Sequence, residues 1–273
     1  MFTYVLTFQC PDQPGIIARL SQALYKNDAN IVDANQHSHD NQFFLRLIYE
    51  TQTPEKTTQA LKTLAPDFNA KIHIYAQNNR PKMGILVSKT DHCLHEILYL
   101  WKAGELNVEI PFIISNHDTH ETLAYHYNIP YFHCPGSVQD RKEDLILSYA
   151  KGNSDFLVLA RYMQILSAQF IDDYAQPIIN IHHSFLPSFK GANPYQQAFD
   201  KGVKIIGATA HYVTAELDEG PIIAQQVSAV SHRDTPEMLK RKGTSLERDC
   251  LIEAISAHIE HRIIPYYNKT IVF

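Results

Sequence analysis

Between Ile178 and Gln225 the chain gathers an amide, an imidazole and a carboxylate at positions from which one small group could be handled. The apolar run Ile-Ile-Asn-Ile-His ends in Asn180 and His182, and strand alternation puts these two side chains on one face. The carboxyl ends of strands in open α/β sheets are where ligands collect. Asp218 follows the next apolar run, 204–213, inside a short loop that stops at Gly220-Pro221, so its carboxylate can return to the same rim. An amide N–H can polarise a carbonyl oxygen, an imidazole can carry a proton, and a carboxylate can hold the imidazole in its useful charge state. That set describes acyl or formyl transfer without a Ser or Cys nucleophile. Singly, a His at a strand end packs and an Asp in a Gly-Pro turn shapes the turn; the chemistry lies in the set.

The elements that must hold these residues alternate from 83 onward. Strands are predicted over 83–88, 108–115, 129–133, 155–160, 178–182, 204–213 and 222–229, and helices over 92–102, 119–127, 138–150, 194–201 and 235–260. Alternation of this kind predicts an α/β fold with a doubly wound, mostly parallel sheet. Ahead of it lies a different pattern. A strand over 2–9 breaks at Pro11-Asp12-Gln13-Pro14-Gly15 and opens a helix with Ile16, Ile17, Leu20, Ala23 and Leu24 at helical spacing. A strand over 29–37, a turn at Asp40-Asn41, a strand over 43–50, a helix over 54–64 and a strand over 71–75 complete a ferredoxin-like βαββαβ unit. The polar stretch Gln77–Lys82 separates the two, giving an N-terminal domain at 1–78 and a second at 83–273, with Tyr266-Tyr267 expected to pack the final strand.

Composition narrows the partners. The 273 residues are 45% apolar and 19% charged, as in a globular chain. With 29 acidic against 24 basic side chains and no basic tract, there is no electrostatic footprint for nucleic acid or for an anionic membrane, and a small-molecule substrate is expected. Cys10, Cys93, Cys134 and Cys250 are scattered, which predicts reduced thiols and a cytoplasmic protein, and the N-terminus reads as a strand rather than a leader. No metal is expected: His37-x-His39 has no third ligand near it in sequence, and the other histidines lack zinc spacing.

The order and spacing of Asn180, His182, Leu186-Pro187, Gly191 and Leu217-Asp218-x-Gly-Pro resemble the formyltransferase family that uses 10-formyltetrahydrofolate. The resemblance implies that Asn180, His182 and Asp218 are catalytic and that Thr209 and His211 line the site and support the Asp. The doublet His182-His183 before Ser-Phe-Leu-Pro resembles the formyltetrahydrofolate deformylase branch, although alternation sends His183 to the opposite face of its strand. Leu159–Leu166 resembles the family's folate loop, which nominates Arg161, Tyr162, Met163 and Leu166, with Leu217 and Glu219, as folate-binding; Gln164 stands where Arg is common. The loop Val87–Leu94 has no glycine to bring backbone N–H groups onto a phosphate, unlike the glycine-rich loop of glycinamide ribonucleotide transferases. Its Ser88, Lys89, His92 and Cys93 resemble the deformylase branch and read equally well as a helix start.

The resemblance therefore implies hydrolysis of 10-formyltetrahydrofolate to tetrahydrofolate and formate, with no cofactor. One alternative is formyl transfer to an amine such as glycinamide ribonucleotide, against which the glycine-free loop speaks. The other is an inactive folate- or amino-acid-binding regulator, against which retention of all three proton-handling residues speaks. Asp12-Gln-Pro-Gly-Ile-Ile-Ala with Asn30-Ile-Val-Asp resembles the ACT domain. That implies a regulatory module at a paired interface, an amino-acid effector such as glycine or methionine at Asp12, Gln13, Pro14, Gly15 and Asn30, and a homo-oligomer assembled through both domains. Pro14 and Gly15 also make an ordinary helix start.

Overall fold

The computed structural model describes residues 1–136, 140–187 and 194–273, so Gly191 of the sequence motif lies outside the described residues. The elements in order are β1 (Phe2–Pro11), α1 (Ile16–Tyr25), β2 (Asn30–His39), β3 (Gln42–Thr51), α2 (Pro54–Lys62), α3 (Ala65–Phe68) and β4 (Lys71–Ala76). They continue with β5 (Met83–Val87), α4 (His92–Ala103), β6 (Ile113–Ser115), α5 (Glu121–His126), β7 (Tyr131–His133), α6 (Glu143–Ala150), β8 (Phe156–Ala160), α7 (Ala168–Tyr174) and β9 (Ile178–His182). The last are α8 (Pro194–Asp200), β10 (Ile205–Tyr212), β11 (Ile222–Ala229), α9 (Pro236–Ile259), β12 (Ile263–Tyr266) and β13 (Lys269–Val272). Two compact units result: Met1–Asn79 with Glu260–Tyr266 and Ile271–Phe273, and Arg80–Ile259 with Tyr267–Thr270.

In the first unit the antiparallel sheet runs β2-β3-β1-β4. Leu6, Phe8 and Cys10 alternate onto the face that meets Ile16, Leu20 and Leu24, which lie four residues apart on one stripe of α1. The C-terminal segment belongs to this unit through named contacts. The Arg46 guanidinium donates to the Glu260 carbonyl at 3.0 Å, His261 stacks on Tyr75 at 3.6 Å, and Tyr266 meets Phe44 edge-on at 5.2 Å. Tyr267 corrects the sequence expectation: it turns the chain at φ 52° and is 85% exposed, so Tyr266 alone of the pair packs against this core.

The second unit is the α/β fold expected of a doubly wound chain. Its sheet runs β11-β10-β9-β8-β5-β6-β7, with β5 to β9 parallel and β10 antiparallel to both its neighbours. Every residue of β5 and β8 is buried, because helices cover both faces at the middle of such a sheet. The chain first winds outward through β6 and β7, then crosses back to place β8 on the other side of β5. The carboxyl ends of β5 and β8 thus flank a topological switch point. The expected strand over 108–115 shrinks to Ile113–Ser115, since Val108 and Ile110 are buried without joining a ladder. α7 escaped the periodicity reading; the Ser167 hydroxyl caps it by accepting from Phe170 N–H at 3.1 Å. Among the described residues no helix is long and apolar enough to cross a membrane.

Candidate active site

A cavity of about 210 Å³ opens at the carboxyl ends of β8 and β9, and Asn180, His182 and Asp218 all line it. Register explains one more of its residues, His211, and sets Thr209 beside it off the wall. In the antiparallel ladder Asn180 faces His211 and His182 faces Thr209, so the two pairs alternate onto one side together. Asp218 comes back to that side because its loop closes tightly. Tyr212 N–H donates to the Pro221 carbonyl at 3.0 Å, and a Cβ on Gly220 would fall 1.8 Å from the Tyr212 carbonyl oxygen, so only glycine fits.

His182 Nδ1 lies 3.3 Å from Asp218 Oδ2, and both side chains are largely buried. His182 Nε2 is buried with no hydrogen-bond partner among the described residues. A buried polar atom without a partner is unfavourable, and at a cavity wall it is an invitation to a ligand. His211 Nδ1–H donates to the Tyr212 carbonyl at 2.9 Å. Its Nε2 then accepts from Asn180 Nδ2 at 3.2 Å in the neutral ring, and can turn to Asp218 Oδ1, 3.7 Å away, when protonated. One N–H of the Asn180 amide is used on His211; the other has no hydrogen-bond partner among the described residues. Burial alone would raise the Asp218 carboxyl. Hydrogen bonds and charge from His182, and then from His211, outweigh it and hold the carboxyl well below the usual carboxylate range.

Three sequence expectations change here. Thr209 does not touch Asp218: its hydroxyl donates to Ser184 O at 2.9 Å and accepts from Leu186 N–H at 3.0 Å and Gln225 Nε2 at 3.1 Å, pinning the chain as it leaves β9. His183 joins the cavity wall, because β9 ends at His182 and alternation no longer governs the next residue. Burial, then the Arg161 cation, lowers its imidazole to about 4, so it is neutral near pH 7. Glu219 is not on the wall, whereas Glu216 and Leu217 are. Gln225 had no signal beyond its place in a strand.

The folate-loop segment lies where β8 ends, and Ser88 at the end of β5 holds it. Ser88 N–H donates to the Arg161 carbonyl at 3.3 Å, and its hydroxyl accepts from Met163 N–H at 2.9 Å. Tyr162 and Leu166 are buried and Met163 is 58% exposed, all on the cavity wall. Gln164 accepts from the Tyr162 hydroxyl at 3.0 Å and donates to the Gly136 carbonyl at 2.9 Å, so it ties down the loop with an amide where a charge was in question. Lys89 is exposed.

Glu247 was missed altogether. It is 2% exposed on the buried stripe of α9, accepts from Tyr195 Oη at 2.6 Å, lies 2.9 Å from His92 Nε2 and sits 3.4 Å from Arg161 Nε. An acid in register with Gly243, Leu246, Cys250 and Ala254 on an apolar stripe was the available signal. His92, Cys93 and Glu247 offer ligand-type atoms within 4.8 Å of one another. The residues do not fit a metal: the guanidinium of Arg161 already faces the carboxylate, and burial pushes the Cys93 thiol far up, away from the thiolate a metal needs.

In the first unit, Asp12, Gln13, Pro14 and Gly15 are exposed between β1 and α1, and Asn30 is exposed at the start of β2. Asp12 N–H donates to the Asn41 carbonyl at 2.9 Å, and Gly15 precedes α1 at φ 92° without a side-chain cap.

An amide, an imidazole and a carboxylate at the carboxyl ends of the strands of a doubly wound sheet, preceded in sequence by a ferredoxin-like unit, is the arrangement of a two-domain formyl-group enzyme. Sequence profiles agree: a formyl transferase profile matches residues 81–255 and an ACT domain profile matches 4–66. A formyltetrahydrofolate deformylase of Synechocystis is 46% identical, covering 99% of this chain and 98% of that protein. Crystal structures of formyltetrahydrofolate deformylases from Pseudomonas syringae pv. tomato and Burkholderia mallei superpose with TM-scores of 0.95 and 0.93. They are 39% and 38% identical, each covering 100% of this chain and, respectively, 95% and 100% of theirs. The chain belongs to the formyltetrahydrofolate deformylase family.

Proposed function

We propose that this chain hydrolyses 10-formyltetrahydrofolate to tetrahydrofolate and formate, with Asn180, His182 and Asp218 as its catalytic residues. The observation that carries the reading is the unpaired His182 Nε2 at the wall of a cavity that also holds the second N–H of Asn180 and the Asp218 carboxylate. Water attacks the formyl carbon, and the oxygen that becomes anionic lies between Asn180 Nδ2 and His182 Nε2. Donors of this kind are typically worth ~3 to 4 kcal/mol each. Asp218 stabilises the imidazolium of His182 and relays protons. The carbon–nitrogen bond then breaks with its electron pair going to the folate nitrogen. One proton of the water ends on that nitrogen, the other passes to solvent, and formate leaves. Tyr162, Met163, Leu166 and Leu217 offer the apolar wall on which a pterin can lie. Water is the acceptor, so the scheme needs no cofactor and no metal. The formate released would feed purine biosynthesis and balance the one-carbon pool. Four free, buried cysteines support a cytoplasmic setting. The deciding assay follows formate and tetrahydrofolate from 10-formyltetrahydrofolate without any amine; the expected result is equal release of both, and tetrahydrofolate formed only when an amine is added would sink the reading.

We further propose that the ACT unit makes a homo-oligomer sensitive to glycine or methionine. The exposed Asp12–Gly15 segment leads into α1, whose uncapped first turn can offer backbone N–H groups to a carboxylate, and Asn30 begins the strand that a second copy would face. Turnover of the full-length protein should change with one of these amino acids, and Asn30→Ala should blunt the response. An oligomer indifferent to both would leave the unit an assembly role only.

A further inference from the structure

Beside the catalytic cavity lies a second, of about 620 Å³. Arg161 and His183 line both, so they form the common wall. Arg161 sits at φ 62°, in the left-handed region, where a residue with a Cβ is disfavoured and glycine is not. The chain nevertheless keeps a long cation there, with its side chain 13% exposed and its Nε 3.4 Å from the Glu247 carboxylate. Gly243 shows a second local concession to the same group. A glycine in the middle of a helix is unfavourable relative to Ala. Here a Cβ would fall 2.0 Å from the Tyr195 hydroxyl, which reaches past it to Glu247. Backbone strain and helix propensity are thus both given up around one ion pair, which is how functional positions behave.

Resting on the hydrolase reading above, we propose that the Arg161–Glu247 pair determines acceptor specificity: it closes the wall between the two cavities, so that water reaches the formyl carbon and a substituted amine does not. A cavity of this size can house the body of a small-molecule acceptor, and the wall that Arg161 shares is the place where its nucleophile would have to enter. Arg161 fills that place, so a substituted amine meets the side chain before the formyl carbon and is discriminated against by an unfavourable contact. Glu247 acts as a positioning residue: its carboxylate lies 3.4 Å from Arg161 Nε as the counter-charge and is itself fixed by His92 and Tyr195. Were an amine admitted, its nitrogen would bond to the formyl carbon and the carbon–nitrogen bond to folate would break. The folate nitrogen would take the proton the amine loses, giving an N-formyl amine and no formate.

The test uses full-length protein, 10-formyltetrahydrofolate and glycinamide, a small primary amine, with formate and N-formylglycinamide measured together. Arg161→Gly suits the backbone at this position. It should raise the share of turnovers ending in N-formylglycinamide by at least about tenfold over wild type, the change produced by about 1.4 kcal/mol of barrier difference. Glu247→Gln, which leaves the guanidinium without its anion, should shift the same ratio by a smaller factor. A folded Arg161→Gly protein that releases formate and forms no N-formylglycinamide at any glycinamide concentration overturns the proposal and leaves the hydrolase reading standing. Wild type that releases tetrahydrofolate only with glycinamide overturns the hydrolase reading instead. Should Arg161→Gly fail to fold, the product ratio of Glu247→Gln decides: a shift supports the proposal, and an unchanged ratio overturns it.

Discussion

Asp218→Asn is expected to lower turnover by ~10²- to 10⁴-fold while KM changes only a few-fold, the behaviour of an isosteric change that spoils the charge state of a catalytic imidazole. The carboxylate lies 3.3 Å from His182 Nδ1, and an amide in its place keeps the shape but neither the charge nor the proton capacity. The backbone should survive the change, because Asp218 sits at φ 57°, where Asn is among the better tolerated residues. Folate should still bind, since the 161–166 loop is held by Ser88 and not by Asp218. The pH dependence follows from the sign of the shift. A carboxyl held below its unfolded value is ionised throughout the neutral range, and the stability it contributes disappears only as pH falls through the depressed folded value. Loss of activity in the variant should therefore be uniform between about pH 6 and 9, with no pH restoring it. Turnover and KM measured across that range decide the matter; a variant within tenfold of wild type would remove Asp218 from the chemistry.

What could be read in the sequence follows from how local each signal is. Alternation in a five-residue strand ties Asn180 to His182, and a Gly-Pro stop within a few residues of a strand end forces a return loop, so the meeting of these two with Asp218 needed no tertiary knowledge. The alternating elements of the second unit and the βαββαβ order of the first were legible for the same reason. Pairing across the fold was not. Period two says which face Thr209 occupies, but only the β9/β10 register shows that it stands opposite His182 and reaches the chain beyond it. The rule that sent His183 to the far face failed one residue after the strand stopped. Glu247 could have been suspected as an acid on an apolar stripe, yet its partners come from α4, α8 and the loop after β8, far away in sequence. Such ion pairs are tertiary by nature and leave no period to read.

Asn180→Ala and His182→Ala should each reduce kcat/KM for formate release by at least ~10²-fold, as loss of an oxyanion donor does, and the double variant should lose much less than the product of the two. The reason is geometric. The second N–H of Asn180 and the unpaired Nε2 of His182 lie on one wall of one cavity, so both can serve the same developing oxyanion. Once one donor is gone, that oxygen is no longer held where the other can reach it, and removing the second forfeits little more. The two variants should differ in a second respect. His182→Ala takes away the leading favourable partner of Asp218, leaving a buried carboxylate against His211 alone, and its carboxyl should rise toward the ordinary range. Asn180→Ala leaves the His182–Asp218 pair intact, so its stability toward acid should follow that of wild type. The four proteins assayed side by side form a double-mutant cycle, with unfolding midpoints at about pH 3 and pH 7 as the accompanying measurement. Losses that multiply cleanly would mean that Asn180 and His182 act in separate steps, and the shared-oxyanion mechanism would have to be abandoned.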